Sequence, residues 1–137
     1  MDKKNKGFTL AELLIVVAII GVLVAISIPI FTSQLEKSRE ATDLANVRAA
    51  YAEVMVNAMD DGFTTTTSNG ITYTATGDVG SRQIVAVVSL EQKQADWQTE
   101  NALTSVAGVT ATGSPKVGGT ATITWKQADN SVTIVYA

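Results

Sequence analysis

From Leu13 to Phe31 the chain runs nineteen residues without a charge. As a helix this stretch is roughly 28 Å long, close to the ~30 Å hydrocarbon core of a bilayer. Lys3, Lys4 and Lys6 precede it, and the positive-inside rule then keeps the N-terminus cytoplasmic and sends the remainder across. A lone carboxylate, Glu12, stands at the start of the apolar block, where an insertion signal would do better without one. A cleaved secretory signal, with Ala25-Ile26-Ser27 as a small-x-small cleavage site, accounts for the run. So does a plain single-pass anchor. Neither accounts for the acid.

The helical pattern continues past Phe31. Apolar residues recur at Leu44, Val47, Tyr51, Val54 and Ala58, the 3-4 spacing of one helix face. Glu36, Lys37, Arg39, Glu40, Asp43 and Arg48 are expected mostly on the other faces. No Gly or Pro interrupts Phe31 to Asp61, and Asp60-Asp61-Gly62 reads as a fraying C-terminal stop. Phe8 to about Met59 is thus expected as one helix of about 52 residues, roughly 78 Å long. Its first half is apolar all round and its second half amphipathic. Gly21 and Pro29 are weak points, since Pro29 cannot donate to the Ala25 carbonyl.

Beyond Gly62 the composition turns to Thr, Ala, Val and Gly. Asn69-Gly70 marks a turn, and Ile71 to Thr76 suits a short edge strand. Ile84 to Leu90 suits a central strand. Ser89-x-x-Gln92 could also cap a short helix through Trp97. Asn101 to Gly119 reads mostly as loop. Thr120–Lys126 and Ser131–Tyr136 alternate as two strands around the turn Gln127-Ala-Asp-Asn130. The expected fold class is α+β: one long N-terminal helix packed on a small antiparallel sheet of three or four strands laid across the Leu44–Ala58 face. Trp97, Trp125 and Tyr136 are expected to fill its core.

Composition removes several functions. With no Cys and no His, disulfides, thiol chemistry and the usual zinc ligand sets are absent. A formal net charge of −3 argues against sequence-independent nucleic-acid binding. Asp60, Asp61, Asp78 and Asp129 are scattered through turns and suit solvated carboxylates better than a calcium site. No metal, cofactor or catalytic residue is expected. Thr64–Thr67 suits a plain loop better than a glycosylated one.

The segment KGFTLAELLIVVAIIGVLVAISIP resembles the class III signal segment of type IV pilins and pseudopilins. The matching points are Lys6-Gly7, Phe8, Thr9-Leu10, Glu12, Gly21 and Pro29; Ala11 departs mildly from the larger aliphatic common before the glutamate. The resemblance implies cleavage between Gly7 and Phe8 by a membrane prepilin peptidase, which also N-methylates Phe8. Loss of three lysines and one aspartate with the leader takes the formal charge from −3 to −5. It also implies a charge pair between Glu12 of one subunit and the Phe8 amine of a neighbour. Each group is costly in an apolar setting if unpaired. The implied organisation is a leader at 1–7, an apolar membrane and filament-core helix at 8–31, an amphipathic helix at 32–61 and a β-rich head at 62–137.

The implied partners are further copies in a helical filament, the prepilin peptidase, the assembly platform with its ATPase, and the membrane before assembly. The implied function is a structural pilus subunit for adhesion, motility or DNA uptake, ending extracellularly. A pseudopilin of a type II secretion or competence system is the alternative. A membrane-anchored enzyme or binding module is a third reading, and no motif supports it. A head without disulfides fits a Gram-positive pilin or a pseudopilin.

Overall fold

A computed structural model describes residues 6–99 and 105–137; the leader lysines Lys3 and Lys4 lie outside them. The fold is α+β, one long helix followed by seven strands. Helix α1 spans Leu10–Ala58 and is continuous through Gly21 and Pro29. The strands are β1 Thr66–Ser68, β2 Ile71–Thr76, β3 Gln83–Ser89, β4 Ser105–Val106, β5 Val109–Thr112, β6 Thr120–Lys126 and β7 Ser131–Tyr136. The chain divides into two units, one ending at Leu35 and the other spanning Glu36–Ala137.

In the first unit, helix formation satisfies the backbone while leaving the side chains uncovered. Every large apolar residue from Phe8 to Leu35 is exposed. Two of its hydroxyls bond back to the helix itself: Ser27 Oγ donates to the Leu23 carbonyl (2.7 Å) and Thr32 Oγ1 to that of Pro29 (3.0 Å). These two hydroxyl hydrogens therefore need no water.

In the second unit the strands form one sheet in the order β1-β2-β3-β6-β7-β5-β4. The hairpin β6–β7 pairs as its alternation predicts, with Ile123 opposite Ile134 and Trp125 opposite Val132. The inward residues of β2, β3, β6 and β7, among them Tyr73, Ile84, Ala86, Val88, Ile123, Trp125 and Ile134, meet Val47, Ala50 and Val54 of α1 in a single core. Trp97 packs edge-on against Tyr136, ring centroids 5.3 Å apart. Asn69 and Gly70 both take positive φ (50° and 77°), the left-handed pair that a two-residue hairpin between β1 and β2 requires.

Four expectations are corrected. The sheet has seven strands rather than three or four, and β5 runs parallel to β7. The stretch expected as loop holds β4 and β5, two very short strands that pair with each other, β5 pairing also with the distant β7 (Asn101–Thr104 lie outside the described residues). β2 is not the edge, because β1 adds a strand beyond it. The short helix after Ser89 does not form; residues 90–99 run as bends instead, and their amides are used elsewhere, as described next. Helix α1 ends at Ala58, as expected near Met59, and beyond it Arg82 Nη1 donates to the Asp60 carbonyl (2.8 Å) while its other terminal nitrogen donates to that of Phe63.

Candidate functional site

The predicted processing and pairing residues lie together at the start of α1. Gly7 and Phe8 precede the helix in non-helical conformation, and Phe8 is 93% exposed. Thr9 is the N-cap. Its Oγ1 accepts from the Glu12 amide (3.2 Å), and Glu12 Oε2 accepts from both the Thr9 amide and the Thr9 hydroxyl (each 2.8 Å). This is a reciprocal capping box, which satisfies amides that the first helical turn leaves without partners. Glu12 therefore has a role within its own chain. The spacing Thr9-x-x-Glu12 is the sequence signal for it. Glu12 Oε1 accepts no hydrogen bond among the described residues. From Phe8 to Leu35 Glu12 is the sole charged residue. Gly21 and Pro29 lie one and two membrane-leaflet lengths further on, roughly 14 and 26 Å along the axis from Glu12.

A second group of carboxylates was missed by sequence reasoning. Glu36, Glu40 and Asp43 were expected on solvated faces, yet they are 1%, 1% and 0% exposed. Each grips the backbone of segment 91–99. Asp43 accepts from the amides of Glu91 (2.8 Å) and Gln92 (3.0 Å). Glu36 Oε1 accepts from Lys93 (2.5 Å) and Gln94 (2.7 Å), and its Oε2 from Arg39 Nη1 (3.0 Å). Glu40 accepts from the amides of Gln98 and Thr99 (the latter 3.0 Å) and from the Thr99 hydroxyl (2.5 Å). Buried carboxylates are tolerated when saturated with donors in this way.

The two titrations that respond differ in sign. For Glu36, burial pushes the carboxyl up, but the Gln94 amide, Arg39 and the Lys93 amide together outweigh it and hold it below the ordinary value of 4.5. For Asp43, burial is not overcome by the Glu91 and Gln92 amides, and the neighbouring Glu91 and Glu36 charges add to it, so its carboxyl lies above the ordinary 3.8. Among the described residues no group of three or more His, Cys, Asp or Glu is arranged to hold a metal ion.

The described apolar helix is long and apolar enough to cross a membrane, with none of its most apolar window buried. Comparison with known proteins agrees with this geometry. The family described as the prokaryotic N-terminal methylation motif matches residues 2–28. The chain is 50% identical over 50 residues to the type IV major pilin protein PilA of Myxococcus xanthus, covering 36% of this chain and 23% of that one. It is 48% identical over 58 residues to the type IV narrow pilus major component PilA5 of Thermus thermophilus, covering 40% and 50%. To the type IV major fimbrial protein FimA of Dichelobacter nodosus it is 38% identical over 60 residues, covering 44% and 38%. The chain thus spans half or less of the length of these relatives. No solved structure matches it. The methylation motif at residues 2–28 and the similarity of the N-terminal part of the chain to these relatives support a type IV pilin.

Proposed function

We propose that this chain is the structural subunit of a type IV pilus, cleaved after Gly7, N-methylated at Phe8 and polymerised through α1 into an extracellular filament. The observation that carries this reading is the bare apolar surface from Phe8 to Leu35 with a single acid at its head. Such a surface needs lipid before assembly and other copies after it. Cleavage would create an amine at Phe8. Glu12 Oε2 is held by Thr9, which leaves Oε1 as the acceptor for the amine of a neighbouring copy. The capping box then serves to aim the carboxylate, and pairing offsets the cost of placing either charge among apolar helices.

The precursor would sit in the membrane with Lys3, Lys4 and Lys6 on the cytoplasmic side. The prepilin peptidase, the assembly platform and its ATPase follow from the same reading, as do adhesion, motility or DNA uptake as uses of the filament. Gly21 and Pro29 are the places where α1 yields most cheaply if assembly requires bending. The role is structural, without catalysis. A pseudopilin role is less well supported, because the relatives are named as major pilins and fimbrial proteins. Nothing in them supports a Gram-positive source.

Mass spectrometry of the native N-terminus tests processing: methyl-Phe8 is expected, and a start at Ile28 would instead mean an ordinary signal peptidase. Glu12→Ala and Thr9→Ala separate the two roles of the acid. Glu12→Ala is expected to be processed but to give few filaments. Thr9→Ala loosens the cap by about 1 kcal/mol yet retains the acid, and is expected to assemble. Equal loss of filaments in both variants would assign Glu12 to capping alone.

A further inference from the structure

The sheet has one face on the core and one face in water, and the outer face is unusual in its chemistry. Among the residues of all seven strands, Lys126 is the sole charge. A water-facing antiparallel sheet ordinarily mixes Lys, Glu and Arg into its outward positions. Here the outward positions of β3, β6 and β7 are threonine and valine in register, apart from Gln83, Ser89, Lys126 and Ser131 near the strand ends. One cross-strand row is Thr74, Val85, Thr124 and Thr133, opposite one another in turn. The next is Val87, Thr122, Val135 and Thr112. Val87 and Val135 are 47% and 42% exposed. The acids of the second unit lie on the helix and in its loops and turns, away from the strands.

We propose that this face docks on the same face of a second copy of the chain, between neighbouring filaments; the placement between filaments rests on the pilus reading above. The occupant follows from charge and chemistry. The chain is net negative, −3 as synthesised, so two copies repel wherever their charged surfaces meet. The strand face is where they can meet without that cost. A polyanion would need basic residues here, and a sugar surface would need outward aromatic rings for stacking; Tyr73, Trp125 and Tyr136 all point inward and are buried. β-branched side chains on two flat faces interdigitate well, and threonine hydroxyls can exchange water for one another at little net cost.

The size of the face sets the strength. Five strands about 4.8 Å apart and about six residues long present about 500 Å² per copy, or about 1,000 Å² for a pair. That is below a standard stable interface, so an isolated pair is transient. Repeated along two parallel filaments, the same contact becomes multivalent and persistent.

The test uses sheared surface filaments and the full chain in detergent. Wild-type filaments are expected to bundle and to pellet at low speed. Thr124→Asp with Thr133→Asp places two acids side by side on each face; single filaments should remain and low-speed pelleting should fall about tenfold or more. Bundling unchanged by these acids would overturn the proposal. So would loss of the filaments themselves with processing intact, since the face would then belong inside a filament. The chain has no native cysteine, so Thr122→Cys at the middle of the sheet reports face-to-face approach without background. On oxidation in micelles it should trap several times more dimer than Val79→Cys, which is 87% exposed in the β2–β3 turn. Equal trapping would overturn the docking. Absence of filaments together with selective trapping at Thr122→Cys would reject the pilus reading and retain the self-docking face.

Discussion

The two halves of α1 depart from ordinary burial in opposite directions. Up to Leu35 the helix exposes its leucines, isoleucines and valines; from Glu36 it buries three carboxylates. What differs is the medium each half is built to meet. The first half satisfies nearly all of its backbone within the helix, the Ala25 carbonyl opposite Pro29 excepted, and asks for an apolar surrounding, which lipid or other apolar helices supply. The second half is covered by its own chain, and part of that cover is segment 91–99, which has no strand or helix partner for its amides. The acids supply the acceptors that a sheet or helix would otherwise supply. A buried charge is therefore the cheaper solution where the alternative is a row of orphaned amides.

The sharpest way to break this contrast is to remove an acid from the second half. Glu40→Ala strands two amides and a hydroxyl that Glu40 now accepts, and should cost about 4 kcal/mol of unfolding free energy. Urea unfolding of the full chain in detergent measures it, with faster amide exchange at Gln98 and Thr99. A loss under about 1 kcal/mol would show that the acid is a bystander. The converse change adds an acid to the first half. Ile19→Asp, at a position 55% exposed, should disfavour membrane insertion by about 3 kcal/mol. A glycosylation-mapping insertion assay reads the outcome, and unchanged insertion would mean lipid does not cover this half.

The smallest effect is the response to acid. Glu36 is depressed, so its contribution is present above 4.5 and is lost as pH falls through its lowered value. Asp43 is raised, so its ionised form costs stability at neutral pH, and that cost disappears as pH falls through its raised value. The two oppose one another, and acidification should loosen segment 91–99 only gradually. Carboxyl NMR should find the ordinary gap between 3.8 for Asp and 4.5 for Glu narrowed or reversed at these two residues. Asp43 titrating below 3.8 would contradict the account.

Much of the fold was legible because it rests on local periodicity. The extent of α1, the β6–β7 hairpin and the Asn69-Gly70 turn all follow from patterns a few residues long. The buried acids were not legible by type, since acids at helical spacing usually mean a solvated face. By position they were: Glu36, Glu40, Asp43, Val47, Ala50 and Val54 form one unbroken stripe at 3-4 spacing. The apolar spacing Leu44, Val47, Tyr51, Val54 and Ala58 catches Val47 and Val54 on this stripe, while Leu44, Tyr51 and Ala58 are half-buried at its flank. The parallel β5–β7 pairing was hidden for another reason. Its partners lie more than twenty residues apart, and no short window records them. At the N-terminus the capping pattern was legible, but the sole acid of an apolar run drew attention to distant partners before near ones.

The grip on segment 91–99 has a practical consequence. The helix holds main-chain amides and, apart from Thr99, no side chain of that segment. Apart from Trp97, which packs on Tyr136, and the buried Gln92, it is therefore indifferent to the side chains it holds. Exposed positions such as Lys93, Gln94 and Ala95 can be rewritten for display of a foreign peptide, provided Asp96, at φ 59° and with its amide on the Pro115 carbonyl (2.9 Å), is retained and proline is kept from 91–94, 98 and 99, where it would remove a gripped amide.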